Sequence, residues 1–187
     1  MLNFELLGML YAAGSVKTGK NYRISLQTKR RELAQAFSGR LSAFGNVKAD
    51  RVSKKVTVVK LVGRKEMETL LKGFEINPPF DKERIPSQIL DSSEKRISFL
   101  RGFFEGKASI YPEKRLIRVS GKKEQLGEIR KLLEQEGIKS SIYSTGKYPS
   151  LYIEGKSRCE SFRKIGFLTK EKNDKLENAF GWLTKKG

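Results

Sequence analysis

The chain has 187 residues and a formal net charge of +18, because 39 Lys and Arg residues outnumber 21 Asp and Glu residues. It contains no His and a single Cys, which excludes imidazole catalysis, Ser-His-Asp triads and nearly every zinc site. The longest apolar stretch, residues 6–14, is far shorter than the roughly 20 residues that a membrane span needs. The N-terminus also lacks the features of a secretory signal, so we expect a cytoplasmic protein.

Hydrophobic periodicity predicts an alternating order of helices and strands. The first part of the chain contains a helix at residues 3–13, a strand at 21–28, a helix at 30–44, strands at 46–52 and 55–62, and a helix at 64–73. Residues 77–93 contain three prolines and predict a linker. The elements that follow are a helix at 94–107, a strand at 114–120, a helix at 122–136, strands at 138–144 and 148–154, and a helix that begins near Lys156.

The second part of the chain repeats the first. Residues 45–72 align with residues 137–164 at an offset of 92, which places Gly63 on Gly155. Two small α/β halves, each with little core of its own, are expected to pack together. We therefore predict one pseudo-twofold α+β unit, with halves at residues 1–76 and 94–187, antiparallel strand pairs, and no need for a homo-oligomer.

Each half opens with a related helical segment, LLGMLYAAG at residues 6–14 and LRGFFEGKA at residues 100–108. Small residues four positions apart let two helix backbones approach closely. Each segment contains one such pair, Gly8 and Ala12 in the first and Gly102 and Gly106 in the second. Two such motifs, about 94 residues apart and in this order of elements, resemble the monomeric, two-repeat form of the LAGLIDADG homing endonuclease family. The resemblance extends over essentially the whole chain.

The resemblance implies αββαββα halves, with both motif helices at the central interface and two antiparallel sheets forming a saddle along a duplex. It also implies an acidic residue at the eighth position of each motif, where carboxylates hold a divalent metal. Here these positions hold Ala13 and Lys107, so neither a metal nor a cofactor is expected. Glu105 lies about 200° away around the helix and is expected to cap or pair. In the alternative, a displaced carboxylate such as Glu5 or Asp50 restores the site.

Strand parity turns Ile24, Leu26, Ile117 and Val119 into the core, so their neighbours face outward. Outward cations and amides can contact phosphates or base edges, and an outward Tyr can stack on an exposed base. By resemblance, the end of the second motif helix points toward the phosphates. The expected nucleic-acid-binding residues on this surface are Lys17, Lys20, Arg23, Ser25, Gln27, Lys48, Lys60, Lys107, Arg115, Arg118, Lys139, Lys147 and Tyr152.

Three further residues have no predicted role in binding. Cys159 and Trp182 are expected in the core, and Lys172 is interpreted as part of a solvated C-terminal helix because acidic residues are interspersed there. None of the three is included in the expected nucleic-acid-binding surface.

Three functions compete. The large positive charge and the missing acids favour a non-cleaving protein that binds structured RNA, such as intron RNA or the RNA of a ribosome or other ribonucleoprotein. The second hypothesis is a sequence-specific DNA-binding regulator that kept the groove of a nuclease. The third is an active endonuclease with a relocated metal site. A basic surface that is merely solvated, or that meets an acidic membrane, is the plainest alternative for the charge.

Overall fold

The computed structural model describes residues 2–144 and 148–181. For residues 179–181 it describes the backbone alone. The first half contains α1 (Phe4–Ala13), β1 (Gly14–Lys17), β2 (Arg23–Thr28), α2 (Arg31–Leu41), β3 (Val47–Ser53), β4 (Val56–Val62) and α3 (Arg64–Gly73). The second half contains α4 (Ser93–Lys107), β5 (Ser109–Tyr111), β6 (Leu116–Ser120), α5 (Lys123–Gln135), β7 (Ser141–Tyr143), β8 (Ser150–Glu154), α6 (Lys156–Phe162) and α7 (Lys170–Gly181). The predictions for Lys147 and Trp182 lie outside the described residues.

Each half builds one antiparallel four-stranded sheet. The strand order is β1-β2-β4-β3 in the first sheet and β5-β6-β8-β7 in the second, so the two sheets share one topology. Helices cover one face of each sheet, and the buried residues Ile24 and Leu26 of β2 lie on that face together with Ile117 and Val119 of β6. The predicted α+β, two-repeat fold is confirmed.

Two short strands were absent from the sequence-based prediction. β1 and β5 begin directly after the motif helices and have four and three residues, which is too short for an alternating pattern. Other boundaries also need correction. The strand predicted at 114–120 begins only at Leu116, because Pro112–Lys114 form a 3-10 turn and Arg115 is left-handed with φ 47°.

Three further strands and one helix are shorter than predicted. The strands predicted at 21–28, 138–144 and 148–154 begin at Arg23, Ser141 and Ser150, and the helix predicted at 30–44 ends at Leu41. That helix is followed by a 3-10 turn at Ser42–Phe44. The residues predicted beyond these strand ends have no partner strand, and those beyond the helix end do not continue the helical hydrogen bonds. The spacing of apolar residues alone does not reveal either boundary.

The motif helices α1 and α4 pack against each other at the centre of the molecule. Both begin with a side-chain cap, since Asn3 Oδ1 accepts a hydrogen bond from Leu6 N at 2.9 Å and Ser92 Oγ accepts one from Lys95 N at 3.3 Å. Residues 6–12 of α1 are all buried, as expected for a helix enclosed on every side.

Glycine permits this packing. A Cβ built on Gly8 would lie 2.0 Å from the carbonyl oxygen of Phe99, and one on Gly102 would lie 2.0 Å from the carbonyl oxygen of Glu5. A Cβ on Gly106 would lie 2.6 Å from that of Ala12. The two backbones are therefore in direct contact, and the C-terminal ends of α1 and α4 lie side by side.

The segment between the halves packs on the motif helices. The Tyr11 hydroxyl donates to the carbonyl oxygen of Arg84 at 2.7 Å, and the Phe80 ring lies edge-on to the Tyr11 ring at 5.0 Å. Burial and nearby Asp81 raise the pKa of Tyr11, so this hydroxyl remains a donor. The segment thus lies beside the ends of both motif helices.

Within the described part of the chain, no helix is long and apolar enough to cross a membrane.

Candidate nucleic-acid interface

The outer face of the first sheet forms a groove of about 470 Å³. Strand register produces it, because Ser15 lies opposite Ser25 and Ser25 lies opposite Lys60 on the next strand. This first-sheet groove brings five of the expected binding residues together with the degenerate motif position. Its lining is Ala13, Ser15, Lys17, Arg23, Ser25, Gln27, Asp50, Val52, Val58 and Lys60.

The groove residues differ in their freedom to bind. Lys17 and Gln27 are exposed, whereas Ser25 is on the outer face but only 8% exposed. Arg23 Nε is buried and has no hydrogen-bond partner among the described residues. Lys60 forms an ion pair with Asp50 across β3 and β4. The groove is therefore polar and mainly cationic, with one carboxylate.

A second cleft, of about 640 Å³, lies at the C-terminal end of α4 between the two halves. Lys107 lines it, and its Nζ donates to Gln125 Oε1 at 2.8 Å. Gln125 Nε2 in turn donates to the carbonyl oxygens of Tyr11 and Lys82, both at 3.1 Å. The cleft also contains Lys122, which pairs with Glu83. This inter-half cleft thus holds three lysines beside the first-sheet strand β1.

Lys107 is a partly buried cation. Burial and, second, the nearby Lys82 ammonium lower its pKa, and burial also lowers the pKa of Lys82. The position at the last turn of α4 favours a cation, because the helix dipole places negative charge there. An anion in the inter-half cleft would relieve the repulsion between these two ammonium groups.

The helix ends do not fit a divalent metal. The Ala13 side chain has no ligand atom, and the ammonium of Lys107 carries the same sign of charge as the metal. Glu5 is in the first turn of α1, at the opposite end from Ala13, and its carboxylate is paired with Arg40 and Arg101. Across residues 2–144 and 148–181, no group of three or more acidic, Cys or His residues could hold a metal ion.

Glu105 joins the two halves through a buried charge network. Its side chain is fully buried and is paired with Arg30 of the first half, and it accepts from the backbone N–H groups of Leu168 at 3.0 Å and Thr169 at 3.1 Å. Arg30 Nη1 also donates to the Glu105 carbonyl oxygen at 2.7 Å. Glu105 therefore has a structural role, with both its oxygens in use.

Lys172 was interpreted as solvated, and that interpretation is wrong. It is only 6% exposed, and its Nζ donates to the carbonyl oxygens of Phe104 at 2.9 Å and Glu105 at 2.8 Å. Burial lowers the pKa of Lys172 to about 7, although the Glu105 carboxylate acts in the opposite direction. The lysine tethers α7 to the end of α4, which composition alone does not show.

The outer face of the second sheet is more aromatic. Arg118 lies opposite Tyr152, donates to Ser150 Oγ at 3.2 Å, and has its guanidinium 5.7 Å from the centre of the Tyr152 ring. Tyr143 on β7 packs edge-on against Tyr152 with 5.2 Å between ring centres. Tyr143 was not among the expected binding residues, although it follows outward-facing Ser141 by two positions.

The remaining expected residues are dispersed. Lys20 and Lys139 are exposed in loops, Lys48 is exposed on edge strand β3 opposite Lys60, and Arg115 is at the turn before β6. Lys82 was missed because residues 77–93 were interpreted only as a linker.

Cys159 is buried, and burial raises the pKa of its thiol to about 11.

The two sheets and the paired motif helices define a two-repeat LAGLIDADG scaffold. Residues 94–166 match the family described as LAGLIDADG-like domain. The second half therefore matches the LAGLIDADG-like domain family, and the resemblance that the two motifs indicated is confirmed. Full-length DUF199/WhiA from Thermatoga maritima has the same fold, with a TM-score of 0.65 and 18% identity over 98% of this chain and 60% of that one.

Two other relatives extend the comparison. The homing endonuclease I-DmoI, solved in complex with DNA and Mn, matches 87% of this chain and 94% of its own with a TM-score of 0.62 and 15% identity. A probable translation initiation factor IF-2 from Pyrococcus horikoshii is 33% identical over 114 residues, which is 60% of this chain. The chain spans only 10% of the length of that factor.

Proposed function

We propose that the protein binds a nucleic-acid duplex in the first-sheet groove and the adjoining inter-half cleft and does not cleave it. One observation carries the proposal: the adjacent ends of α1 and α4 present Ala13 and Lys107, and Ala13 opens into the cationic first-sheet groove. A cation at this place attracts phosphates directly, whereas a metal site would need carboxylates. The net charge of +18 supports the same partner.

Double-stranded DNA is the first partner to test, because I-DmoI, which has the same fold, was solved with DNA. Structured RNA, the partner expected from sequence, is the second candidate. The exposed Tyr rings of the second sheet favour it, since sequence-specific RNA recognition targets unpaired bases that stack on aromatic side chains. A ribosomal or other ribonucleoprotein assembly belongs to this second candidate.

We expect nucleic-acid binding to be independent of divalent metal. The measurement is fluorescence anisotropy with a labelled DNA duplex and a labelled structured RNA, at matched salt, with EDTA and with Mg²⁺. Affinity in low Mg²⁺ should be no higher than in EDTA, because Lys107 and not a metal supplies the positive charge at the helix ends. Supercoiled DNA incubated with Mg²⁺ or Mn²⁺ should stay intact.

Two results would contradict this proposal. The first is metal-dependent cleavage that follows the protein through purification and disappears in an Asp50→Ala variant, which would indicate a relocated metal site. The second is failure to bind either polymer at low salt. Tighter binding of RNA than of DNA at matched salt would assign the second candidate as the natural partner.

Replacing Lys107 with Ala should weaken binding without unfolding the protein. We expect affinity for the preferred polymer to fall roughly tenfold, equivalent to about 1.4 kcal/mol, and the slope of log affinity against log salt to lose about 0.9. Ala13→Asp combined with Lys107→Asp should weaken metal-free binding further, because two carboxylates then face the phosphates. The melting temperature should change little, since Lys107 is partly exposed and packs at a cleft.

Lys131→Ala is the matched control. Lys131 is exposed on α5, on the covered side of the second sheet, and pairs with Glu128. The Lys131→Ala substitution removes one positive charge, as Lys107→Ala does, but from outside the proposed surface. The slope of log affinity against log salt should therefore be unchanged. If both lysine variants lowered the slope equally, binding would depend on net charge alone and the proposed surface would be wrong.

A further inference from the structure

The outer faces of the two sheets differ at equivalent positions. Lys60 on β4 and Tyr152 on β8 align at the offset of 92, and each lies opposite an outward residue on both neighbouring strands. Asp50 and Tyr143 occupy the next outward positions on the edge strands, opposite Val58 and Ser150. The Lys60–Asp50 ion pair of the first sheet therefore has the Tyr152–Tyr143 ring pair as its counterpart in the second.

The same replacement occurs at the other edge of the sheets. Lys17 lies opposite Arg23 in the first sheet, whereas Tyr111 lies opposite Leu116 in the second. Tyr111 is 37% exposed and Tyr143 is 47% exposed, both on the face away from the core. Two surfaces of the same topology thus present different chemistry, one cationic and one aromatic.

The ring geometry suits stacking on a third ring. Tyr143 and Tyr152 are nearly perpendicular, with 82° between their planes, so they do not cover each other face to face. Arg118 adds a cation 5.7 Å from the Tyr152 ring. A base with a phosphate on either side is complementary to this arrangement, because its π-face meets the rings and its backbone meets the guanidinium.

We infer that the second sheet binds unpaired bases that adjoin the duplex held by the first sheet. The surface formed by Arg118, Tyr143 and Tyr152 is the base-stacking site, and Glu154 at the end of β8 places a carboxylate on the same face. The inference rests on the proposed function, because it assumes that the first-sheet groove holds the duplex. Its ligand is a single-stranded tail, a bulge or a loop, in DNA or in RNA.

The experiment compares a blunt DNA duplex with the same duplex carrying a single-stranded tail, built once from deoxyribonucleotides and once from ribonucleotides. The wild-type protein should bind the tailed probes more tightly than the blunt one. Tyr143→Ala and Tyr152→Ala should each weaken binding to a tailed probe about tenfold, a factor within the range for one base–aromatic stack, and leave blunt-duplex binding unchanged. Tyr143→Phe and Tyr152→Phe, which keep the ring, should bind as the wild type does.

Lys60→Ala is the electrostatic control and should weaken the blunt and tailed probes by the same factor. Equal loss in the Tyr→Ala variants on both deoxy and ribo tails assigns the site to bases of either polymer, and loss on the ribo tail alone assigns it to RNA. Equal wild-type affinity for blunt and tailed probes would overturn the inference, even if a variant failed to fold. So would Tyr→Ala variants that affect both probes alike or neither. Failure of the wild type to bind any probe would instead overturn the proposed function.

Discussion

Replacing Gly8 with Ala should destabilise the protein by about 3 kcal/mol or more, although it adds one methyl group. The new Cβ would lie 2.0 Å from the Phe99 carbonyl oxygen and 2.6 Å from the Phe103 nitrogen, and both are backbone atoms that cannot rotate away. Overpacking with flexible neighbours typically costs 1–3 kcal/mol, so a backbone contact should reach or exceed the upper value. For a chain of this size, 3 kcal/mol corresponds to a melting temperature lower by about 6–12 °C.

Gly127→Ala is the matched control for Gly8→Ala. Gly127 is inside α5, and nothing lies within 4 Å of a Cβ built there. The same chemical change should therefore stabilise the protein by roughly 0.5–1 kcal/mol, because Ala favours a helix more than Gly. The two variants thus have opposite expected signs in thermal melting. A Gly8→Ala protein as stable as the wild type would show that α1 and α4 do not touch through their backbones.

Sequence reasoning recovered the parts of this fold that repeat a local pattern. The duplicated order of elements and the small residues of the motif helices identify the two-repeat scaffold, because only Gly at positions such as Gly102 permits backbone contact. Alternation in β2 and β6 assigns the core residues correctly, since strand side chains alternate strictly between faces. These features depend on neighbours within a few positions along the chain.

Features that depend on distant parts of the chain were not predicted. Lys172 is buried because α7 returns to the end of α4, 67 residues earlier in the chain, and local charge alternation indicated the opposite. Lys82 reaches the inter-half cleft because the connecting segment packs on Tyr11. Alternation from Ser141 places Tyr143 on the outer face, but only the pairing of β7 with β8 brings its ring beside Tyr152. For each of these residues, tertiary contacts set the environment.

Replacing Glu105 with Ala should produce the other large loss of stability, about 3–5 kcal/mol. The carboxylate is fully buried, pairs with Arg30, and accepts hydrogen bonds from Leu168 N, Thr169 N and Thr169 Oγ1. Its removal leaves two buried backbone donors without their acceptor and takes the carboxylate from the Arg30 guanidinium, which keeps its bonds to the carbonyl oxygen of residue 105 and to Thr169 Oγ1. Unpaired polar groups in the interior are costly. Chemical denaturation at neutral pH measures the change in the free energy of unfolding.

Glu171→Ala tests whether burial is the cause. Glu171 is on the same helix as Lys172 but is exposed, and it pairs with Lys175 one turn away. An exposed pair of this kind contributes about 0.3–0.5 kcal/mol, so its loss should be small beside that of Glu105. Because Arg30 belongs to the first half and Glu105 to the second, the two halves should also separate more readily in the Glu105→Ala protein than in the wild type. Limited proteolysis should then cut the segment at residues 77–92 sooner than in the wild type. If the cleavage rate were unchanged and Glu105→Ala lowered the free energy of unfolding no more than Glu171→Ala does, the Glu105 network would not stabilise the contact between the halves.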